Sequence, residues 1–252
     1  MKNVKWFPFV LVLLFPGYVN AIPCNSGALN GLVNTTCTIG DKTFTFGTLT
    51  GTIPAAQIQF VPNASNPLQP SFVLSPVTGA LTVSTSGAQI ANLSADLAFT
   101  VATTSGFATM LGTTITLGQA TASGTNAQNF AIVDAFNFFG SGATQAHLSS
   151  GALPEVCIET PTGGPTGCVG PPFPSSVSAT GTFGPPFPTL LNTASGDLGF
   201  SLHSEGIASA TFVSATFAFN QVAQVTQPSA VVLFGLGVVA ISSLANRKRP
   251  RP

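Results

Sequence analysis

Apolar and polar residues alternate with a period of two over much of this chain. The runs at residues 43–50, 57–61, 80–85, 95–102, 113–117, 199–203 and 210–220 set Phe, Leu, Val, Ile or Ala against polar or small residues, most often Thr or Ser. A half-buried antiparallel strand requires this alternation, because successive side chains point to opposite faces. Clusters of Gly, Pro and Asn separate the runs, and residues 62–67 read as the clearest loop. Many short strands in this rhythm predict an all-β body, an antiparallel β-sandwich over residues 22–224. Residues 160–188 break the rhythm. They are rich in Pro and Gly and carry Gly-Pro-Pro-Phe-Pro twice, at 170–174 and 184–188. Proline has no amide to give to a strand ladder, so this stretch predicts a long irregular excursion without central strands.

The two ends follow different patterns. Residues 1–21 read as a secretory signal peptide: Lys2 and Lys5, an apolar run over 7–15, a break at Pro16 and Gly17, then Val19 and Ala21 as small residues before a cut between Ala21 and Ile22. The apolar run falls short of the ~18 residues of a spanning helix. At the other end, residues 229–245 contain no charge, and Arg247, Lys248, Arg249 and Arg251 follow. As a helix this segment is roughly 25 Å long, enough for a thin bilayer. The basic cluster then stays cytoplasmic by the positive-inside rule.

Charge narrows the choice of partners. The chain has seven basic and seven acidic residues, but Lys42 is the one basic residue of the body, which holds all seven acidic ones. Such a body cannot neutralise a row of phosphates, which excludes nucleic acid as a partner. Removing residues 1–21 takes away Trp6 and Tyr18, the single Trp and single Tyr, and leaves Phe as the aromatic residue of the body. A dedicated lectin, which stacks sugar on Trp or Tyr, is correspondingly disfavoured.

Cys24, Cys37, Cys157 and Cys168 are the four cysteines. An even number in an exported chain predicts disulfides. Three connectivities are possible; local pairing, Cys24 with Cys37 and Cys157 with Cys168, closes two short loops. There is no C-x-x-C, and neither His147 nor His203 has ligand spacing from a Cys, so no metal site is expected. The chain contains no G-x-S-x-G, HExxH, GxxxxGK[ST] or GxGxxG. No catalytic residue and no cofactor are assigned, and a non-enzymatic protein is expected. Asp134, His147 and a nearby serine can be threaded into a triad on paper, without a motif to support it.

The tail resembles the PEP-CTERM sorting signal of Gram-negative bacteria. The resemblance lies in the order of three parts: Val225-Thr226-Gln227-Pro228-Ser229, an apolar segment containing Gly-Leu-Gly, and a terminal Arg/Lys cluster. Pro228 and Ser229 match the family's Val-Pro-Glu-Pro-Ser; Thr226 and Gln227 stand where it has Pro and Glu. The body is loosely similar to a group of these proteins at residues 37–46, at the Asp-Leu-Ala-Phe-Thr-Val run from Asp96 and in the last strand. The resemblance implies export, recognition by the membrane-embedded cysteine enzyme exosortase, and an association with exopolysaccharide and biofilm. It carries over no catalytic residue. The expected protein is structural or adhesive, anchored in the cell envelope by its C-terminal helix or released to the surface or matrix after tail processing. A non-catalytic polysaccharide-binding module is the alternative.

Overall fold

The computed structural model describes residues 22–104, 108–125, 128–139, 142–150, 156–159, 165–169, 176–182 and 191–223. These form an all-β, antiparallel structure. In chain order the strands are β1 (Gly27–Ala28), β2 (Thr36–Ile39), β3 (Lys42–Gly51), β4 (Ile58–Asn63), β5 (Ser71–Pro76), β6 (Leu81–Thr85), β7 (Ile90–Thr103), β8 (Ala108–Gly118) and β9 (Thr121–Ser123). They continue with β10 (Phe130–Phe139), β11 (Gly142–Ser150), β12 (Val156–Glu159), β13 (Pro165–Val169), β14 (Ser176–Thr182), β15 (Thr193–Glu205), β16 (Ala208–Phe212) and β17 (Ser214–Ala223). The eight-stranded sheet runs β13-β12-β11-β10-β15-β7-β3-β2, the six-stranded sheet β1-β4-β5-β17-β8-β14, and the three-stranded sheet β6-β16-β9.

The alternation in sequence becomes an inside and an outside. On β7, Ala95, Leu97, Phe99 and Val101 are buried, while Asp96, Ala98 and Thr100 lie on the other face. On β3 the inward row is Lys42, Phe44 and Phe46, all fully buried. Phenylalanines join the eight-stranded sheet to the six-stranded one. Phe44 meets Phe219 of β17 edge-on at 5.0 Å between ring centroids, and Phe46 meets Phe60 of β4 at 5.5 Å. Phe72 of β5 touches five of these rings, Phe44, Phe46, Phe60, Phe217 and Phe219. Burying each such side chain contributes about 1.5–3 kcal/mol, with edge-to-face pairs adding to that. The three-stranded sheet covers another part of the same inner face through Phe212, which stacks on Phe200 of β15.

Two local features set the registers. The β2–β3 hairpin closes at the pair Ile39 and Lys42 around Gly40-Asp41, with Gly40 at φ 60°. A Gly at the first central position of a two-residue turn follows the sheet's twist without steric cost. Further along, Gly199 of β15 lies against β7, where a Cβ would sit 1.9 Å from the Ala95 carbonyl oxygen. The close pairing of these two long strands therefore requires glycine there.

The N-terminal segment is strapped to the edge of the eight-stranded sheet. Cys24 and Cys37 form a disulfide across 13 residues of sequence. The Cys24 amide donates to the Thr38 carbonyl and the Thr38 amide donates to the Ile22 carbonyl, both at 2.9 Å. A covered edge strand cannot recruit a strand from another chain.

Three sequence expectations are corrected. Residues 160–188 are not wholly irregular: β13 and β14 lie within them, each at a sheet edge. That position tolerates a proline-rich neighbourhood, because an edge strand leaves one row of amides unpaired. The run at 210–220 is not one strand. It breaks at Val213, where the chain leaves the three-stranded sheet and enters the six-stranded one. The buried positions shift phase there, from Phe212 to Ala215. The loop read at 62–67 begins later, because β4 extends through Asn63.

Candidate functional site

The outer face of the eight-stranded sheet gathers most of the polar chemistry of the described residues. Its central strands, β10, β15 and β7, turn their buried side chains inward and leave Asp134, Asp197, Ser201, His203 and Asp96 on the opposite face. The registers align them in rows. Asp134 is opposite Ser201, and the Ser201 hydroxyl donates to its carboxylate at 3.4 Å. His203 is opposite Asn92, with Nδ1 2.6 Å from the Asn92 side-chain oxygen, and its Nε2 is 3.7 Å from Glu205. Phe130 packs beside the His203 ring at 5.1 Å.

Asp96 stands out electrostatically. Its pKa is raised, first by burial and second by the nearby Asp197 carboxylate. Its Oδ1 is buried and has no hydrogen-bond partner among the described residues. The arrangement is possible because Gly199 lies opposite Asp96 and brings no side chain. Two carboxylates on adjacent strands, one of them reluctant to ionise, give the centre of this face a proton-sensitive acidic spot.

The same face carries an aromatic step. Phe136 and Phe138 alternate with buried Ala135 and Asn137 on β10 and stack on each other at 4.9 Å, with Phe138 42% exposed. A stacked pair with one exposed ring, Phe138, and one half-buried, Phe136, offers apolar area to a ligand with a flat apolar face. Near one end of the sheet, a groove of about 370 Å³ is lined by Gly87, Ile90, Asn129, Glu205 and Gly206 among others. A second groove, about 460 Å³, lies along residues 48–55 and contains no titratable lining residue.

The topology also bears on a serine-hydrolase arrangement. The order β11-β10-β15 puts His147 and Ser201 opposite Asp134 from its two sides. The central strand of the three thus carries Asp134, with the His147 and Ser201 positions on the strands to either side. Among the described residues, no three His, Cys, Asp or Glu side chains are grouped to hold a metal ion.

The residues singled out from sequence are distributed as follows. Cys24 and Cys37 are bonded. Cys157 and Cys168 fall on neighbouring antiparallel strands, beside the pair Val156 and Val169, where the register shifts before Ile158 and Thr166; their side chains lie outside the described set. Ile22 is held by Thr38. Ala21, the motif from Val225 to Ser229, the segment 229–245 and the basic cluster Arg247, Lys248, Arg249 and Arg251 lie outside the described residues. Within those residues, no helix is long and apolar enough to cross a membrane. Sequence reasoning missed the acidic and aromatic outer face. Its signal was the doubly apolar run of β10, where Phe130, Ile132, Phe136 and Phe138 fall between the inward positions.

The chain matches no known protein family and no curated protein sequence.

Proposed function

We propose that the chain is an exported, non-enzymatic protein of the cell surface or extracellular matrix, with a structural or adhesive role linked to exopolysaccharide. The observation that carries this reading is the order of parts: an n-region and apolar run, an all-β antiparallel body, then an uncharged segment and a basic cluster. The export machinery delivers the body across the membrane, residues 229–245 stop transfer, and Arg247–Arg251 remain cytoplasmic. The PEP-CTERM-like order assigns the tail to an exosortase. A body built from antiparallel strands with Thr- and Ser-rich outer faces suits an extracytoplasmic life, where the Cys24–Cys37 bond is stable.

The test is deletion of residues 228–252, with an epitope tag near Ser65 in the exposed loop after β4. The full chain is expected in the membrane or surface fraction, and the truncated chain as a folded soluble domain. A truncated body that aggregates, or that stays membrane-bound like the full chain, overturns the sorting-signal reading.

A second reading, a polysaccharide-binding module, draws support from the Phe136–Phe138 step beside the Asp96–Asp197 pair. Sugar rings stack an apolar face on aromatic rings while carboxylates accept from hydroxyls. Glycan-array binding that is lost in Phe138→Ala favours this reading; no binding by the folded protein rejects it.

A further inference from the structure

Lys42, the one basic residue of the body, is fully buried. It is the last member of the inward row Lys42, Phe44 and Phe46 on β3. Facing it across the layer is the row Phe217, Phe219 and Gln221 of β17, with Phe44 against Phe219. Gln221 follows an irregularity in the β17–β8 register after Asn220. The extra residue there, Leu111, lies on β8, so the alternation of β17 is kept: Asn220 bonds Gln69 and Thr114, while Gln221 reaches Lys42.

Three groups meet there. Lys42 Nζ donates to Gln221 Oε1, and also to Asp41 Oδ2 at 2.8 Å. Gln221 Nε2 donates to Asp41 Oδ1 at 3.2 Å and to the Pro67 carbonyl. One carboxylate thus holds both the amine and the amide nitrogen, while the amine touches the carbonyl end of the same amide.

We propose that Lys42 and Gln221 form an intramolecular isopeptide bond, with Asp41 as the catalytic proton carrier. Asp41 takes a proton from the Lys42 ammonium. The freed lone pair on Nζ attacks Cδ of Gln221. Asp41 passes its proton to Nε2, the Cδ–Nε2 bond breaks, and ammonia leaves. The second amine proton moves to Asp41 as the Cδ–Nζ amide forms. A primary amine and a primary amide become a secondary amide and ammonia; nothing is oxidised or reduced, and no co-reactant is needed.

Burial assists each stage. Desolvation lowers the Lys42 pKa against the opposing pull of Asp41, which favours the neutral, nucleophilic amine. The amine cannot swing away, because it is enclosed, and fixed proximity replaces a bimolecular encounter. Asp41 bridges nucleophile and leaving group, the position a proton carrier requires. The fold supplies these positions from distant parts of the chain: the β2–β3 turn provides Asp41 and Lys42, and the last strand provides Gln221. The bond would tie the eight-stranded sheet to the six-stranded sheet covalently.

The experiment is peptide mapping of the full-length exported protein by mass spectrometry after complete reduction and denaturation. The expected result is a Lys42-containing peptide joined to a Gln221-containing peptide, lighter than their sum by one ammonia. The Lys42 amine should also resist labelling after denaturation. Recovery of the two peptides separate, with a labelled Lys42, from protein that was folded by circular dichroism overturns the proposal. In Asp41→Asn, folded by the same criterion, the two peptides are expected to separate; a link formed as in the wild type removes Asp41 from the mechanism. Lys42→Arg cannot form the link and provides the unlinked reference.

Discussion

Phe200 of β15 and Phe212 of β16 lie nearly parallel, 10° apart, with ring centroids separated by 4.0 Å. Both are fully buried. The short third sheet reaches the inner face of the large sheet through this stack, with Val83 and Ala210 as smaller buried companions. Phe212→Ala is therefore expected to destabilise the body by about 3–5 kcal/mol, the usual cost of emptying a phenylalanine site. Denaturant titration of the purified protein measures it. A change below about 1 kcal/mol would mean that the third sheet collapses around the vacancy.

Breaking the Cys24–Cys37 bond is expected to cost about 2–3 kcal/mol, the loop-closure contribution for a loop of this length. The double variant Cys24→Ser with Cys37→Ser, compared with the oxidised wild type in urea, gives the value. Loss of the strap is also expected to expose the β2 edge, so the variant should self-associate more readily on concentration. Light scattering reports that part separately.

The raised pKa of Asp96 makes a pH prediction with a definite sign. The folded state holds this proton more tightly than the unfolded state. The resulting contribution is fully present below the ordinary carboxylate range and is lost as pH rises through the folded pKa of Asp96. Asp96→Asn removes the charge conflict with Asp197. It is expected to raise stability at neutral pH relative to wild type and to flatten stability against pH in the mildly acidic range. Denaturation midpoints of both proteins at several pH values provide the check; an Asn variant less stable than wild type at neutral pH contradicts the assignment.

The exported form is expected to begin at Ile22, whose carbonyl already accepts the Thr38 amide in the fold. N-terminal sequencing tests this, and an intact Met1 in the surface form rejects it. Cleavage there also removes Trp6 and Tyr18, so the exported protein should show almost no tryptophan or tyrosine absorbance.

Much of the strand pattern was legible because many strands set an apolar face against one of polar or small residues. β3, β7 and β15 follow that rule along most of their length. β10 did not show itself, because Phe and Ile on its outer face and Ala and Val on its inner face make both faces apolar and erase the alternation. β11 and β14 are built from small residues that carry little contrast. The break at Val213 did leave a trace: Phe212 and Phe217 are an odd number of residues apart, so they cannot share a face of one regular strand. Lys42 stands in the sequence as a lone basic charge of the body, and its burial is legible there too. It continues the inward row of Phe44 and Phe46, as Gln221 continues that of Phe217 and Phe219. What no local pattern shows is that these two rows face each other from positions 42 and 221, since only the closure of the sheets brings them together.

β17 lies between β5 and β8, with a ladder on each side. A pull along the chain beyond Ala223 therefore loads two antiparallel ladders at once, and loads them in shear, so that many hydrogen bonds must fail together. A strand at a sheet edge, peeled from its end, would give way one bond at a time. A domain tethered through its last strand gains mechanical resistance from having that strand in the interior of a sheet.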